Sequence, residues 1–175
     1  YSTDNGKTWT KYVANPIVGW MEADNRDPKV VWHKSTRRWI MALYLEDDRY
    51  CLLSSSDAKT WTRFQEIRLN GDSECPDFFP IADDTGAEKW IFSGAGGSYS
   101  VGDFDGKVFV PETPVLQYEL GRNGYAAQTW SNAPNNRRIQ VSWMAGGRYP
   151  EMPFNQQLSV PLELSLAGSG GAVTL

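Results

Sequence analysis

The stretch Tyr1-Ser-Thr-Asp-Asn-Gly-Lys-Thr-Trp-Thr-Lys-Tyr12 joins a tight-turn sequence to an alternating segment, and it occurs again further along the chain. Residues 53–64, Leu-Ser-Ser-Ser-Asp-Ala-Lys-Thr-Trp-Thr-Arg-Phe, repeat it with one turn residue fewer, and residues 102–109 are a third version. The aromatic residues that anchor the three copies are spaced by 52 and 48 positions: Trp9, Trp61 and Phe109. Because Asn-Gly turns between alternating segments are typical of β-hairpins, the repeat predicts units built from β-strands.

A second series of similar segments runs alongside the first and ends at Trp39, Trp90 and Ile139, with spacings of 51 and 49. Two interleaved series with this period are typical of a β-propeller, in which one four-stranded antiparallel blade is repeated. We therefore predict an all-β protein with blade boundaries near residues 20, 70 and 122. The strands of the best-defined blade are expected at 27–33, 39–45, 49–55 and 60–67.

The other units predicted from the period cover about residues 76–110 and 126–160, and residues 8–13 are expected to be the outer strand of an earlier blade. Since a propeller needs at least four blades to close, residues 1–166 are expected to form a partial propeller without its N-terminal blade or blades. Unpaired strand edges in such a fragment favour self-association. Leu158–Leu166 is predicted to be a final apolar strand, and residues 167–175 to be a linker.

The composition favours short strands and excludes several classes of partner. The 175 residues include 8 Trp, 8 Tyr and 7 Phe together with 16 Gly and 10 Pro, which suits strands joined by tight turns. A net charge of −4 provides no basic surface for nucleic acid, and no apolar run is long enough to span a membrane. With one His and two Cys in no metal-binding spacing, we predict neither a metal site nor a cofactor.

Glu74 is the first candidate catalytic residue, in the stretch Gly71-Asp-Ser-Glu-Cys-Pro-Asp-Phe-Phe79. Pro76 has no N–H for a strand ladder and tends to mark the beginning of a strand, so Glu74 is expected at an exposed strand tip beside apolar residues. Desolvation and a nearby like charge can raise the pKa of such a carboxyl group to roughly 6. Glu74 is therefore a candidate general acid, although on this stretch alone it is more simply read as a loop carboxylate.

Asp27 is the second candidate, because Arg26-Asp27-Pro28 repeats the order of acid, proline and apolar strand. The two acids are predicted to occupy equivalent places at the start of two inner strands, which converge on one central funnel in a propeller. Two carboxylates in an aromatic-lined funnel suit cleavage of a glycosidic bond, and Arg26 can bind both a carboxylate and sugar hydroxyls. The simpler alternative is that the acids only make the blade tips soluble. Trp143 is a candidate for stacking on a sugar ring, as are Trp20 and Trp130, although tryptophan more often packs between blades.

With Arg26-Asp27-Pro28 and Glu74-Cys75-Pro76 in this order and spacing, the chain resembles glycoside hydrolase family 32, the β-fructofuranosidases that include invertases, inulinases and levanases. The resemblance extends over nearly the whole chain and includes residues 1–9, 101–106, 125–131 and 158–166. It implies a five-bladed propeller followed by a β-sandwich, of which residues 167–175 would be the beginning. It also implies retaining hydrolysis of β-fructosidic bonds in sucrose or a fructan.

By the same resemblance, Glu74 would be the general acid/base, Asp27 the transition-state stabiliser that binds fructosyl hydroxyls, and Arg26 a substrate-binding neighbour. The partner would be an oligo- or polysaccharide, and the full-length protein is expected to be secreted or periplasmic. The family's nucleophilic aspartate lies in a Trp-Met-Asn-Asp-Pro-Asn-like motif that this chain lacks, so no nucleophile is assigned here. The chain also departs from the family at residues 119–123 and 146–148.

Two other functions remain open at this point. Residues 2–9 fit the Asp-box turn of sialidase-like propellers, although the arginine cluster and tyrosine nucleophile of a sialidase are not evident. The other alternative is a propeller that binds carbohydrate without catalysis, which the missing nucleophile favours.

Overall fold

The computed structural model describes residues 1–169 and 172–174, and their regular structure consists almost entirely of β-strands. One four-stranded antiparallel sheet contains β1 Arg26–His33, β2 Arg38–Glu46, β3 Arg49–Ser55 and β4 Thr62–Arg68 in sequential order. These bounds lie within two residues of the predicted strands of the first blade. The 3-10 turn Pro134–Asn136 is the only helical element in the described part of the chain.

The second sheet has the order β5 Asp77–Ala82, β6 Glu88–Ser93, β7 Ser98–Phe104 and β8 Phe109–Pro111, and β9 Leu116–Gln117 also pairs with β7. The third is formed by β10 Gly124–Thr129, β11 Arg138–Met144, β12 Gln157–Leu158 and β13 Leu162–Leu164. Each sheet is a blade, and the inner strands β1, β5 and β10 are neighbours in space. The prediction of an all-β protein with propeller blades is confirmed.

The blades pack through alternating side chains of strands that are buried on both faces. On β2, Ile40, Ala42 and Tyr44 join one buried cluster with Phe78 and Phe92 of the second blade. The intervening β2 residues belong to a different cluster, which has Met41, Leu43 and Leu45. Because successive side chains of a strand point to opposite faces, an almost continuous apolar strand can fill two cores at once. This packing fixes the inner strands relative to each other.

The strand predicted at residues 8–13 is wrong, because residues 9–12 have no regular secondary structure and lie between a bend at Thr8 and a turn at Val13. Tyr1 and Thr10 exchange two backbone hydrogen bonds of 2.8 Å, but no ladder continues from this pair among the described residues. The Asp4 carboxylate accepts hydrogen bonds from the backbone N–H and the hydroxyl of Thr8, which hold its pKa at about 2. The Asp-box motif is thus a turn closed by its own side chains.

The final apolar strand predicted at 158–166 is divided in two. Both β12 and β13 pair with β11, with Trp143 opposite Leu158 and Gln140 opposite Leu162. Pro161 lies between them and cannot donate to a ladder, which explains the interruption.

Part of the predicted linker at 167–175, namely residues 170, 171 and 175, lies outside the described residues. In its described part, β14 Ala167–Ser169 pairs with β15 Ala172–Thr174. The division of the chain at residue 166 stays a prediction.

Candidate active site

Three segments have the same backbone feature at their second residue: 26–29 in β1, 125–128 in β10, and 74–77 directly before β5. The second residue of each segment has a left-handed backbone, with φ of 56° at Asp27, 37° at Cys75 and 53° at Ala126. The ladder register shifts between Arg26 and Lys29 in β1, and between Tyr125 and Gln128 in β10. Such bulges change the direction of a side chain and are frequent next to active sites.

This alignment corrects the predicted equivalence of Asp27 and Glu74. The residue equivalent to Glu74 is Arg26 in the first blade and Tyr125 in the third, whereas Asp27 is equivalent to Cys75. The two acids differ by one position relative to the proline that follows them, because Asp27 directly precedes Pro28 whereas Cys75 lies between Glu74 and Pro76. The prediction that both acids enter one funnel stays a prediction, and their contacts support it.

The equivalent residues of the three blades form a hydrogen-bonded chain centred on Glu74. Arg26 Nη2 donates to Glu74 Oε1 at 2.6 Å. On the other side, the Tyr125 hydroxyl donates to Glu74 Oε2. The guanidinium group of Arg26 also lies 4.6 Å above the ring of Tyr44 and bonds the Asp24 carboxylate at 2.9 Å. One carboxylate thus receives a donor from each neighbouring blade.

These contacts lower the pKa of Glu74, whereas the sequence predicts a raised pKa. The hydrogen bond from Arg26 is the main cause that lowers the pKa of Glu74, followed by the hydrogen bond from Tyr125; partial burial opposes both. The prediction of a raised pKa is therefore wrong for the ligand-free site, because it counted the apolar neighbours and not the donors of adjacent blades. Since the folded-state pKa is depressed, these bonds stabilise the fold above the unfolded-state pKa, and that contribution is lost as pH falls through the folded-state value.

Asp27 lies beside the hydrogen-bonded side chains of Arg26, Glu74 and Tyr125. It is linked to them through the backbone of Cys75, the residue after Glu74. Asp27 Oδ2 accepts a hydrogen bond from the Cys75 backbone N–H at 3.2 Å, with the thiol at 3.6 Å and Arg26 Nε at 3.8 Å. Burial, followed by the charge of Asp27, raises the pKa of the Cys75 thiol to about 11. Cys75 is therefore a protonated thiol at neutral pH, which is not the reactive form of a nucleophilic cysteine.

Trp143 lies on β11 beside Tyr125. Its ring packs against Tyr125 with centroids 6.2 Å apart, and its indole N–H donates to Gln156 Oε1 at 2.8 Å. Its role in sugar binding stays a prediction. By comparison, Trp130 follows β10 at the end of that strand opposite Tyr125, and Trp20 lies in the segment before β1 with 80% of its surface exposed.

Three further residues of the site were not identified from the sequence: Tyr125, Tyr50 and Asp72. Tyr125 holds the Glu74 carboxylate, while the fully buried Tyr50 donates to the Glu74 backbone carbonyl at 3.3 Å. Asp72 binds backbone N–H groups of the loop that follows β6. A signal existed only for Tyr125, which occupies the Glu74 position when the starts of the three inner strands are aligned.

One cavity lies away from the candidate site residues. A cavity of about 860 Å³ lies between residues 1–17 and the turn at 57–59, and its single carboxylate is Asp57. That carboxylate is occupied by the backbone N–H groups of Lys59 and Thr60, both at 2.8 Å. In the described ranges, 1–169 and 172–174, no group of His, Cys, Asp and Glu is placed to hold a metal ion, and no helix is long and apolar enough to cross a membrane.

Comparison with known proteins assigns the family. Residues 1–174 match the model of the glycosyl hydrolases family 32 N-terminal domain. The chain belongs to glycosyl hydrolase family 32. The resemblance inferred from Arg26-Asp27-Pro28 and Glu74-Cys75-Pro76 is thereby confirmed.

Individual relatives of the family 32 chain agree with this assignment. A levanase of Bacillus subtilis is 37% identical over 193 residues, which cover 95% of this chain and 28% of the levanase. An invertase of Debaryomyces hansenii is 31% identical, covering 95% of this chain and 35% of the invertase. The crystal structure of an exo-inulinase from Aspergillus awamori superposes with a TM-score of 0.86 at 25% identity, over 99% of this chain and 41% of that one. A fructofuranosidase of Schwanniomyces occidentalis in complex with fructose gives 0.85 at 26% identity, over 97% and 37%.

The family 32 chain spans between 28% and 41% of the length of these relatives. The propeller blades are therefore compared with one part of each relative.

The donors around Glu74 lead to a prediction about its ionisation. Arg26→Gln is expected to raise the pKa of Glu74, because it removes the hydrogen bond that lowers this pKa most. Tyr125→Phe removes the hydrogen bond with the next largest effect on this pKa, and we expect it to raise the pKa of Glu74 by a smaller amount. The measurement is an NMR titration of the side-chain carboxyl carbon of Glu74.

Arg68→Gln is the matched control, since Arg68 is an exposed arginine paired with Asp48 and not with Glu74. A pKa of Glu74 that is the same in the Arg26 and Arg68 variants would contradict this account of the site.

Proposed function

We propose that the protein containing this chain hydrolyses β-fructosidic bonds, with sucrose or a fructan of the levan or inulin type as substrate. The observation that carries this proposal is the Arg26–Glu74–Tyr125 chain with Asp27 beside it, at the converging starts of three inner strands. Family membership and relatives named levanase, invertase and exo-inulinase support the substrate class.

In this proposal Glu74 protonates the oxygen of the leaving group and then activates water as a base. The ligand-free site favours the ionised form of Glu74, so substrate binding has to favour the acid. A sugar oxygen that enters between Glu74 and Tyr125 displaces one of the two donors, and the excluded water makes the charged carboxylate less stable. Both effects raise the pKa of Glu74 when the substrate is in place.

Asp27 has a different role, because its negative charge is needed in every step of the proposed hydrolysis. An ionised carboxylate accepts hydrogen bonds from sugar hydroxyls, and these strengthen as positive charge develops on the ring. Arg26 orients both acids and can donate to the sugar, while Trp143 provides an aromatic surface beside Tyr125. The covalent step requires a further carboxylate as nucleophile, which we assign to a part of the protein outside residues 1–175.

A propeller that binds sugar without cleaving it is the second candidate, and the lowered pKa of Glu74 favours it. A carboxylate that is held ionised by two donors is a good acceptor for sugar hydroxyls but holds no proton to transfer. Secretion is proposed as well, and one relative, from Meyerozyma guilliermondii, is named an extracellular exo-inulinase.

The proposal is tested by incubating the full-length protein with sucrose, levan and inulin and measuring the fructose released. Hydrolysis of at least one of them is the expected result. Binding in a calorimeter without release of fructose would favour the second candidate, and absence of both binding and release would contradict both proposals.

A further inference from the structure

The Glu74 turn has an unfavourable backbone that the surrounding structure has to maintain. Glu74 and Cys75 are consecutive non-glycine residues in the left-handed region, with φ of 56° and 37°. This conformation costs free energy for residues with a Cβ, and it persists only where neighbouring groups hold it. The contacts of Arg26 and Tyr125 hold the carboxylate, so the backbone needs a separate support.

The Tyr50 hydroxyl and the Asp27 carboxylate each hold one backbone group of this turn. The carboxylate of Asp72 adds a further support two residues before Glu74. Its Oδ1 accepts hydrogen bonds from the backbone N–H groups of Ser73 and Gly96, and its Oδ2 accepts one from Ser98, each at 2.7 Å. Asp72 is 9% exposed. Ala95 N also donates to Ser73 O at 3.1 Å, so the turn and the loop are joined from both sides. Hydrogen bonds from N–H groups to a buried carboxylate are among the strong ones in proteins.

The loop at residues 94–98 is shaped around this carboxylate. A Cβ at Gly94 would lie 2.7 Å from Asp72 Cγ, and a Cβ at Gly96 would lie 3.1 Å from Asp72 Oδ1. At Gly94 only glycine therefore allows so close an approach, whereas a side chain at Gly96 would displace the carboxylate by a few tenths of an ångström. The same loop reaches the third blade, since Ala126 N donates to Ala95 O at 2.8 Å directly after Tyr125.

We propose that Asp72 is a positioning residue for the acid, which holds the Glu74 turn and the Tyr125 strand at a fixed distance through the 94–98 loop. This inference rests on the proposed hydrolysis by Glu74. Asp72 acts through the backbone and does not touch the substrate. Loss of its hydrogen bonds releases Glu74 from the position in which it reaches the leaving oxygen.

The test compares two substrates, one whose leaving group must be protonated by an acid and one whose leaving group departs without protonation. In the full-length protein, Asp72→Asn puts an amide N–H₂ or a single acceptor where three N–H donors converge. We expect kcat for sucrose to fall about a hundredfold, the loss that a displacement of about 1 Å can cause. A fructoside with a 4-nitrophenol leaving group should lose clearly less, because nitrophenolate departs without protonation.

Gly96→Ala provides a second variant that keeps the Asp72 charge and every donor. Gly96 has no left-handed φ, so alanine fits its backbone, and the atoms nearest to the new methyl group belong to the Asp72 carboxylate. The same selective loss on sucrose is expected. Asp57→Asn is the matched control, because Asp57 also accepts backbone N–H groups in a tight turn but belongs to the turn between β3 and β4. Its activity on both substrates should be unchanged.

A double variant separates positioning from general stability. On a Glu74→Gln background, Asp72→Asn should cause little further loss on sucrose, because the group that it positions is already absent. Equal losses on both substrates, or fully additive losses in the double variant, would overturn the inference. A Glu74→Gln variant with unchanged sucrose hydrolysis would instead overturn the proposed function.

Discussion

Glu74→Gln in the full-length protein is expected to lower kcat for sucrose by about 10²- to 10⁴-fold, the usual contribution of a general acid. Glutamine has the same shape and can still accept a hydrogen bond from Arg26 or Tyr125, but it has no proton to transfer to the leaving oxygen. Hydrolysis of 4-nitrophenyl fructoside should fall much less, since its leaving group needs no protonation. Steady-state kinetics on the two substrates provide the measurement.

Asp27→Asn is the control for this prediction, because it changes the neighbouring carboxylate in the same way. Its amide cannot stabilise developing positive charge, so both substrates should become slower to a similar degree. Asparagine can still accept the hydrogen bond from Cys75 N, which keeps the turn in place. Equal losses on both substrates for both variants would contradict the division of roles between Glu74 and Asp27.

Lys29→Met is expected to lower the free energy of unfolding by about 3–5 kcal/mol, the cost of leaving a buried charge without its partner. Asp77 is completely buried, and its Oδ2 accepts a hydrogen bond from Thr129 N at 2.6 Å. Its Oδ1 lies 3.2 Å from Lys29 Nζ and accepts no hydrogen bond from the described residues. Lys29 also donates to Thr129 O at 2.8 Å, so this lysine joins all three inner strands. Urea denaturation measures the effect.

Two variants control for the loss of the lysine side chain itself. Lys89→Met removes a lysine of similar exposure, 19% against 16% for Lys29, whose partners Asp103 and Glu112 are exposed to solvent. Its cost should stay within about 1 kcal/mol, as for surface ion pairs. Adding Asp77→Asn to Lys29→Met should recover part of the loss, because no unpaired charge then remains in the interior. A Lys29→Met variant as stable as Lys89→Met would refute the importance of the buried pair.

The strands of the first blade could be predicted from the sequence to within two residues. Their positions depend on local features: alternating or continuous apolar segments, turns with Asp and Ser, and a repeat period that specifies which segments are alike. The prediction of a strand at 8–13 was wrong because local features alone do not show whether a second strand is available for pairing. A strand-like sequence forms a strand only if another strand pairs with it along its length, and the alternation of residues 8–13 carries no information on such a partner.

The repeated blade, the acidic candidates Asp27 and Glu74, and membership of family 32 are all evident in the amino-acid sequence. These depend on short segments whose residue types and spacing are visible directly. The lowered pKa of Glu74, its equivalence to Arg26 and Tyr125, and the contacts of Asp72 become evident only in the folded chain. The physical reason is that the pKa of a carboxyl group depends on donors within hydrogen-bond distance, and those of Glu74 come from residues 48 and 51 positions away in other blades. Only the packing of the inner strands brings them together.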